Sequence, residues 1–280
     1  MDKKTKDKNN QFDSLKYNYQ IQIPTSIPIP MIIKEISLKL KNKNVSITSK
    51  EEKINGTTEL KIKSGSFIKL VANLEYNSLL QRPYSSIAFI INDVEELNEN
   101  ELNNLLTNSF KFGALLPLRS TSIVIAEKIL ASKKNYFINL DDDADKLNFE
   151  LDEDLNVKQL KRNIKSIVSS FNTPRFYFIS KKKTGFSNSF ISFLTEEFSK
   201  QNRTVLRLNS FIKLQGENKQ DLNSLLDFHL NKLKAGTSKL FIISIDDWWT
   251  IQTTLNYYLK KGNKIVLPAK LLQSRTSKRL

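Results

Sequence analysis

Residues that could do chemistry follow a short apolar segment near the middle of the chain. Residues 86–93 have the sequence SIAFIIND, which predicts a buried strand that ends in the amide of Asn92 and the carboxylate of Asp93. Barrels of alternating strands and helices keep their chemistry at the carboxyl ends of the strands, so this position predicts a site. A carboxylate there could bind a divalent cation or accept a proton. The chain of 280 residues has one histidine and no cysteine, so a metal site would have to use oxygen ligands almost alone.

A second group of carboxylates begins directly after the predicted strand Tyr136–Leu140, in the acidic segment 141–154. If Asp93 converged with Asp141, Asp142 or Asp143, the result would be an all-oxygen site that suits Mg²⁺, Mn²⁺ or Ca²⁺ better than zinc. The favoured interpretation is that the acidic segment is solvated surface. The divalent-metal site at Asp93 and Asp141 is the alternative.

Two carboxylates and two indoles follow the predicted strand Leu240–Ile245. Asp246 and Asp247 could cap the next helix at its N-terminus, while Trp248 and Trp249 could be buried behind them. This is the favoured interpretation. The alternative is a ligand cleft over the same four residues, in which the paired tryptophans stack on a sugar.

Two further features have simple structural explanations. His229 lies at helical spacing from several leucines, which predicts a position at the edge of a packed helix face rather than a catalytic role. Lys181, Lys182 and Lys183 precede Thr184-Gly185 and could contact a phosphate. The segment lacks the Gly-x4-Gly-Lys pattern of a phosphate-binding loop, so we interpret it as solvated surface.

The chain is basic, with 44 Lys and Arg against 29 Asp and Glu and a formal net charge of +15. These basic residues are spread along the whole chain, which disfavours a nucleic-acid partner. Residues 1–10 are polar, and no apolar stretch of the length of a signal peptide or a transmembrane segment follows them. The chain as written is therefore predicted to be cytoplasmic, or to belong to the cell envelope if an export segment has been removed. The sequence does not indicate an oligomeric state.

The periodicity of apolar residues divides the chain into two domains. Residues 1–14 are predicted to be a disordered lead, and residues 15–82 a small α+β domain with an antiparallel sheet. The boundary is predicted at Gln81-Arg82-Pro83. Residues 83–273 alternate between strands and helices, and residues 274–280 form a basic tail. The elements predicted for the small domain are a helix, Met31–Leu40, and the strands Tyr17–Ile23, Val45–Thr48, Thr58–Ile62 and Phe67–Tyr76.

The larger domain is predicted to be an α/β barrel or parallel sheet, because its strands alternate with helices. Its predicted strands are Ile87–Ile91, Lys111–Pro117, Tyr136–Leu140, Arg175–Ile179, Thr204–Leu208, Leu240–Ile245 and Lys264–Leu267. Its predicted helices are Asn98–Thr107, Ser120–Ser132, Val157–Phe171, Ser187–Lys200, Asp221–Leu233 and Thr250–Lys261.

In this order, residues 84–273 resemble the divergent polysaccharide deacetylase family, a branch of the carbohydrate esterase superfamily. The resemblance lies in the order and spacing of elements more than in invariant residues. The segments that carry it are Ser86–Val94, Phe112–Leu118, Asn135–Leu140, Arg175–Ser189 and Leu240–Leu272. It implies a distorted (β/α) barrel of the polysaccharide deacetylase type, preceded by the small α+β domain.

Active members, as the resemblance implies, hold a divalent metal with Asp and His and use a carboxylate as general base. At the matching positions Asn92 replaces the base, whereas Asp93 keeps the second carboxylate. Asn139 replaces a histidine, Asp141 replaces the proline after it, and Ile245 stands where a further imidazole would be. The family's Asn-His-x-Gly-Ser segment has no counterpart.

The sequence thus predicts a degenerate member of the family. We expect a pseudoenzyme of carbohydrate metabolism that binds a cell-envelope glycan or a protein partner, or acts as a scaffold, without a cofactor. One alternative is a metal-dependent carbohydrate N-deacetylase or hydrolase with the remodelled all-oxygen site. A further alternative is a basic nucleic-acid-binding protein.

Overall fold

The structure, a computed structural model, describes residues 17–54, 56–80, 84–140, 144–180 and 185–276. Several sequence predictions fall on residues outside these ranges: the lead 1–14, the boundary at Gln81-Arg82-Pro83, Asp141–Asp143, Lys181–Thr184 and the end of the basic tail. The chain divides into two compact units. The first contains the described residues up to Tyr84 with Lys260–Gly262, and the second contains Ser85–Leu259 with the described residues from Asn263 onward.

The first unit is a four-stranded sheet with one helix. Its elements are β1 (Tyr17–Pro24), α1 (Ile29–Leu40), β2 (Ser46–Glu51), β3 (Thr58–Ser64) and β4 (Phe67–Asn77). The strand order is β1-β4-β3-β2. Alternate residues of the sheet and the start of the helix form its core, which contains Ile23, Ile29, Leu60, Ala72 and Leu74. The predicted α+β class is confirmed for this unit.

The prediction of an antiparallel sheet is wrong for one strand pair. β1 pairs with β4 in parallel, whereas β2 with β3 and β3 with β4 are antiparallel. The long connection from β1 to β4, which includes α1, explains the difference. Parallel strands need such a crossover, and the turn signals in the sequence report only on the hairpins.

The second unit alternates strands with helices. Its strands are β5 (Ser86–Asn92), β6 (Gly113–Pro117), β7 (Asn135–Leu140), β8 (Phe176–Ile179), β9 (Thr204–Arg207), β10 (Ile212–Leu214), β11 (Ser238–Ser244) and β12 (Lys264–Ile265). Its helices are α2 (Glu99–Thr107), α3 (Thr121–Ala131), α4 (Val157–Ser170), α5 (Asn188–Lys200), α6 (Lys219–Asn231), α7 (Ile245–Lys260) and α8 (Pro268–Thr276). Two short 3₁₀ helices cover Val94–Glu96 and Leu208–Ser210.

All strand pairs of this unit are parallel, and seven strands follow the order β10-β11-β5-β6-β7-β8-β9. The strands β5 to β11 follow one another around a barrel in chain order, except that β9 and β10 are not paired. The sheet is therefore a distorted (β/α) barrel that is open at one place in the described chain. β12 pairs with Ser86 and Ile87 at the start of β5, and β6 pairs with Ile90 and Ile91 further along the same strand. The predicted fold class is confirmed.

Both faces of the strands are buried, which explains why the sequence of β5 is an unbroken apolar run. Phe89 and Ile91 point outward beneath the helices, and Ala88 and Ile90 point into the barrel. The residues that share the barrel interior form what we call the inner cluster. It contains Ala88, Ile90, Leu115, Phe137, Phe176, Phe178, Leu240, Ile242, Leu271 and Leu272.

One strand and one α-helix of the second unit were not predicted. β10 has three residues, too few for an alternating pattern to be visible. The sequence predicts no helix after the closing strand Lys264–Leu267, but Pro268–Thr276 is the helix α8. Pro268 fits the first position of a helix, and Leu271 and Leu272 enter the inner cluster. Burial in the barrel, which the local sequence does not reveal, selects the helix.

α7 also differs from its prediction, because it begins at Ile245 directly after β11 rather than at Thr250. Within the described chain, no helix has the length and apolar character that crossing a membrane requires.

Candidate functional site

A pocket of about 970 Å³ lies at the carboxyl ends of the barrel strands. Most of its lining residues end a strand or follow one. They are Asn92 at the end of β5, Asp93 and Glu95 after it, Leu115 and Pro117 of β6, Asn139 of β7, Ser180 after β8, and Ile242, Ser244 and Asp247 in and after β11. The remaining lining residues belong to the β9–β10 segment: Leu208, Asn209, Phe211, Lys213, Leu214 and Gln215.

The pocket has an apolar floor and a polar wall. Leu115 and Ile242 are part of the inner cluster, and Leu208 and Phe211 pack against it. Amide, carboxylate, hydroxyl and ammonium groups surround this floor. A concave site with an apolar base and a few polar groups is the usual form of a ligand pocket.

Asn92 and Asp93 reach the pocket because β5 ends there. Asn92 is the last residue of β5 and lies opposite Ser244 of β11 in the parallel register. Asp93 has a left-handed backbone with φ of 63° and starts the 3₁₀ helix Val94–Glu96. Val94 is 1% exposed and anchors this turn in the core between the strands and the surrounding helices, which we call the outer core. The Asn92 side-chain Oδ1 is buried and has no hydrogen-bond partner in the described part of the chain.

Glu95 also lines the pocket, and sequence reasoning missed it. Burial raises the pKa of its carboxyl above the usual value, and the nearby charges of Asp93 and Glu96 raise it further. A hydrogen bond from the backbone N–H of Glu95 itself and the attraction of Arg119 lower it in part. Its Oε2 is buried without a hydrogen-bond partner among the described residues. A carboxyl with a raised pKa in a pocket is a candidate for binding or proton transfer. The signal in the sequence was its position two residues after Asp93.

The structure brings together three of the positions predicted from the family resemblance. Asn92, Asp93 and Asn139 all line the pocket. Ile245 is 5% exposed, is the first residue of α7 and packs in the outer core, outside the pocket lining. Asp141 lies outside the described residues, so the predicted contact between Asp93 and Asp141 stays a prediction.

The four residues of the alternative ligand cleft do not line one site. All four lie in the first turns of α7, but Asp247 alone of them lines the pocket, and its backbone N–H donates to Ser244 Oγ at 3.2 Å. Trp248 is 0% exposed. Its ring lies 5.3, 5.7 and 6.0 Å from those of Phe89, Phe110 and Phe112. Trp249 is 38% exposed and stands outside the lining, as Asp246 does.

The described residues do not fit a metal held by Asp and His. Among them, no three His, Asp or Glu side chains converge to hold an ion. His229 lies on α6, where its ring contacts Phe241 at 5.6 Å and its Nδ1 is 3.4 Å from Lys239 Nζ. Burial first, and then Lys239 and Lys232, lower the pKa of this imidazole. The all-oxygen alternative would need residues outside the described ranges.

The β9–β10 segment supplies residues that no sequence pattern indicated. Lys213 lies on β10 opposite Ile242 of β11 and is the lysine among the pocket residues. Asn209 and Gln215 add two amides. The sequence does not indicate these residues, because β10 is too short to be predicted and its pairing with β11 brings them to the pocket.

In comparisons with known proteins, the chain is similar to several solved structures. No family model matches the chain, and no curated protein matches it. The wild-type CE4 family pseudoenzyme from Bacillus anthracis is 11% identical with a TM-score of 0.44, covering 85% of this chain and 94% of that one. A peptidoglycan N-acetylglucosamine deacetylase is 13% identical with a TM-score of 0.45, covering 68% and 92%. A CE4 esterase from Streptococcus mutans is 9% identical with a TM-score of 0.43, covering 67% and 86%.

Proposed function

We propose that the second unit binds a glycan in the pocket at the carboxyl ends of its strands and does not hydrolyse it. The observation that carries this proposal is the lining: amides and carboxylates stand around a floor of Leu115, Phe211 and Ile242. A sugar ring presents hydroxyl groups at its edge and C–H groups on its faces. The polar wall could therefore bind the hydroxyls, while the floor excludes water beneath the ring.

The amide wall supports binding more than catalysis. Asn92 occupies the position where the family resemblance expects a general base, and an amide does not take up a proton in this role. Asn139 stands where the resemblance expects an imidazole. Both amides can instead donate and accept hydrogen bonds with hydroxyl groups.

The resemblance of residues 84–273 to polysaccharide deacetylases selects the first ligands to test. These are N-acetylglucosamine oligomers, glucosamine oligomers and soluble peptidoglycan fragments. Binding would be measured by titration calorimetry with the full chain, and release of acetate or sugar would be followed in the same samples with and without added Mn²⁺.

The proposal expects saturable binding of at least one of these ligands without product release. Asp247→Asn should weaken that binding, whereas Asp154→Asn, an exposed carboxylate outside the pocket lining, should leave it unchanged. A complete lack of binding at millimolar ligand would overturn the proposal. Acetate release that depends on Mn²⁺ would replace it with the deacetylase alternative.

A specific observation favours one second candidate, a hydrolase. Burial raises the pKa of Glu95, which is the direction that favours a carboxyl as a proton donor, and Glu95 lines the pocket. In that case Glu95→Gln would abolish product release, whereas Glu127→Gln, an exposed position on α3, would not change it.

A further inference from the structure

We infer that the ligand of this pocket carries a protonated amine, as an amino sugar with an unacetylated nitrogen does. This inference rests on the proposed glycan binding and specifies the chemistry of the glycan. It follows from the charge of the pocket, the arrangement of its carboxylates and the acceptor oxygens that lack donors.

The charge of the pocket is opposite to that of the chain. Asp93, Glu95 and Asp247 line it together with one lysine, Lys213. The whole chain has a formal net charge of +15. Arg119, which lies outside the pocket lining, offsets part of the negative charge at Glu95. In a protein this rich in lysine, a concavity lined by three carboxylates and one lysine favours a cationic ligand.

The three carboxylates belong to one wall of the pocket. β5 and β11 are neighbours in the sheet, and their ends are level because Asn92 lies opposite Ser244. Asp93 and Glu95 follow the end of β5, and Asp247 lies in the first turn of the helix that follows β11. An ammonium group placed at the end of β5 would be near Asp93 and Glu95, whose charges interact, and Asp247 follows the end of the neighbouring strand.

The same wall contains acceptors that need donors. Asn92 Oδ1 and Glu95 Oε2 are both buried, and neither has a hydrogen-bond partner in the described ranges. Leaving a buried acceptor unsatisfied is costly, and an ammonium group offers three N–H donors. After a small side-chain rotation, a ligand amine could satisfy one or both oxygens.

An N-acetylated sugar fits this wall less well. Its amide carries no charge and one N–H, and its carbonyl adds another acceptor to a wall that already has too many. The raised pKa of Glu95 agrees with this, because burial and then the charges of Asp93 and Glu96 disfavour its carboxylate, and a ligand cation would offset them.

The test compares two tetramers of equal length, one of glucosamine and one of N-acetylglucosamine. Calorimetry with the full chain at about pH 6.5 keeps the sugar amines largely protonated. The wild type should bind the glucosamine tetramer at least about tenfold more tightly, a factor that one charge-assisted contact can supply. Non-specific attraction cannot produce this preference, because the net charge of the protein repels a cationic ligand.

Two substitutions locate the effect. Asp247→Asn and Glu95→Gln should each reduce the preference for the glucosamine tetramer severalfold. Asp154→Asn and Glu127→Gln remove the same charges outside the pocket and should keep it. Circular dichroism and thermal unfolding show that each variant is folded.

The outcomes separate this inference from the proposed function. Equal or tighter binding of the N-acetylglucosamine tetramer would overturn the inference and leave glycan binding standing. Absence of binding for both tetramers and for peptidoglycan fragments would overturn both. A preference that survives Asp247→Asn and Glu95→Gln unchanged would also overturn the inference, because the amine would then be bound elsewhere.

Discussion

Asp145 accepts hydrogen bonds from Ser120 at the N-terminus of α3. The Ser120 backbone N–H donates to both carboxylate oxygens at 2.9 Å, and the Ser120 hydroxyl donates to Oδ2. Glu153 has a similar role at α5, where it accepts from the backbone N–H of Ser187. The acidic segment therefore supplies carboxylates to the positive ends of two helices, in addition to the solvated surface that its composition predicted.

We predict that Asp145→Asn destabilises the protein by about 0.5 kcal/mol, as expected for a charge at an exposed helix N-terminus. The hydrogen bond from the Ser120 side chain is the main cause of the lowered pKa of Asp145. Because the folded pKa lies below the unfolded one, this stabilisation is complete above the unfolded pKa of about 3.9. It is lost as the pH falls through the folded pKa.

Urea unfolding at about pH 7 and about pH 3 checks this prediction, with Asp154→Asn as the control. The difference between wild type and Asp145→Asn should shrink at the acidic pH. A difference that is equally large at both pH values would contradict the electrostatic explanation.

The left-handed backbone of Asp93 predicts a second set of stabilities. Asp and Asn adopt positive φ more readily than other residues with a side chain, and a Cβ there typically costs 1–2 kcal/mol per residue. We expect Asp93→Asn to keep the stability within about 0.5 kcal/mol and Asp93→Ala to lose about 1 kcal/mol. Chemical unfolding of both variants measures this. Equal stabilities for the two variants would show that the turn does not require a residue that adopts positive φ readily.

The two tryptophans should behave differently. Trp248→Ala removes a fully buried indole from between three phenylalanines and should destabilise the protein by about 3–5 kcal/mol. Trp249→Ala, at a partly exposed site, should cost less than about 1 kcal/mol. Acrylamide quenching of the single-tryptophan variants Trp248→Phe and Trp249→Phe reports their exposure. Strong quenching of Trp248 would contradict the packing.

The order of strands and helices could be predicted from the sequence because each element carries its own pattern. α2, for example, begins at a capping box in which Asn98 and Glu101 each accept from the other's backbone N–H at 3.0 Å. The pocket positions Asn92, Asp93 and Asn139 followed from the same logic, because the ends of parallel strands meet at one edge.

Other features depend on contacts that no local pattern encodes. Lys213 and Asn209 reach the pocket because β10 pairs with β11, a pairing of three residues. Trp248 is buried because α7 begins at Ile245, which turns the indole into the outer core. The parallel pairing of β1 with β4 likewise depends on residues more than forty positions apart. Sequence reasoning of the local kind finds elements and misses such contacts.

α8 provides a test of the barrel interior. Leu272 is 2% exposed and belongs to the inner cluster, although the sequence predicted no helix around it. Leu272→Ala should destabilise the protein by about 2–5 kcal/mol, the usual range for a core leucine. Val124→Ala on α3, at a site that is 58% exposed, should cost less than about 0.5 kcal/mol. Thermal and urea unfolding measure both. A small effect of Leu272→Ala would show that α8 does not fill the barrel.

His229 predicts a loss of stability in mild acid. Its imidazole packs between Phe228 and Phe241, and both burial and the lysines 232 and 239 lower its pKa below 6.5. The unfolded chain therefore binds a proton on His229 more readily than the folded protein does. Stability should fall as the pH decreases from the unfolded pKa toward the folded one. Above about pH 7 this loss of stability is absent.

The variant His229→Gln removes the titrating group and keeps a polar side chain of similar length. We expect wild type and variant to lose stability at different rates between about pH 8 and pH 5, with the shallower loss in the variant. Urea midpoints at a series of pH values measure this slope. Parallel slopes would show that His229 has the same pKa in both states, and a steeper slope for the variant would reverse the sign derived from Lys239 and Lys232.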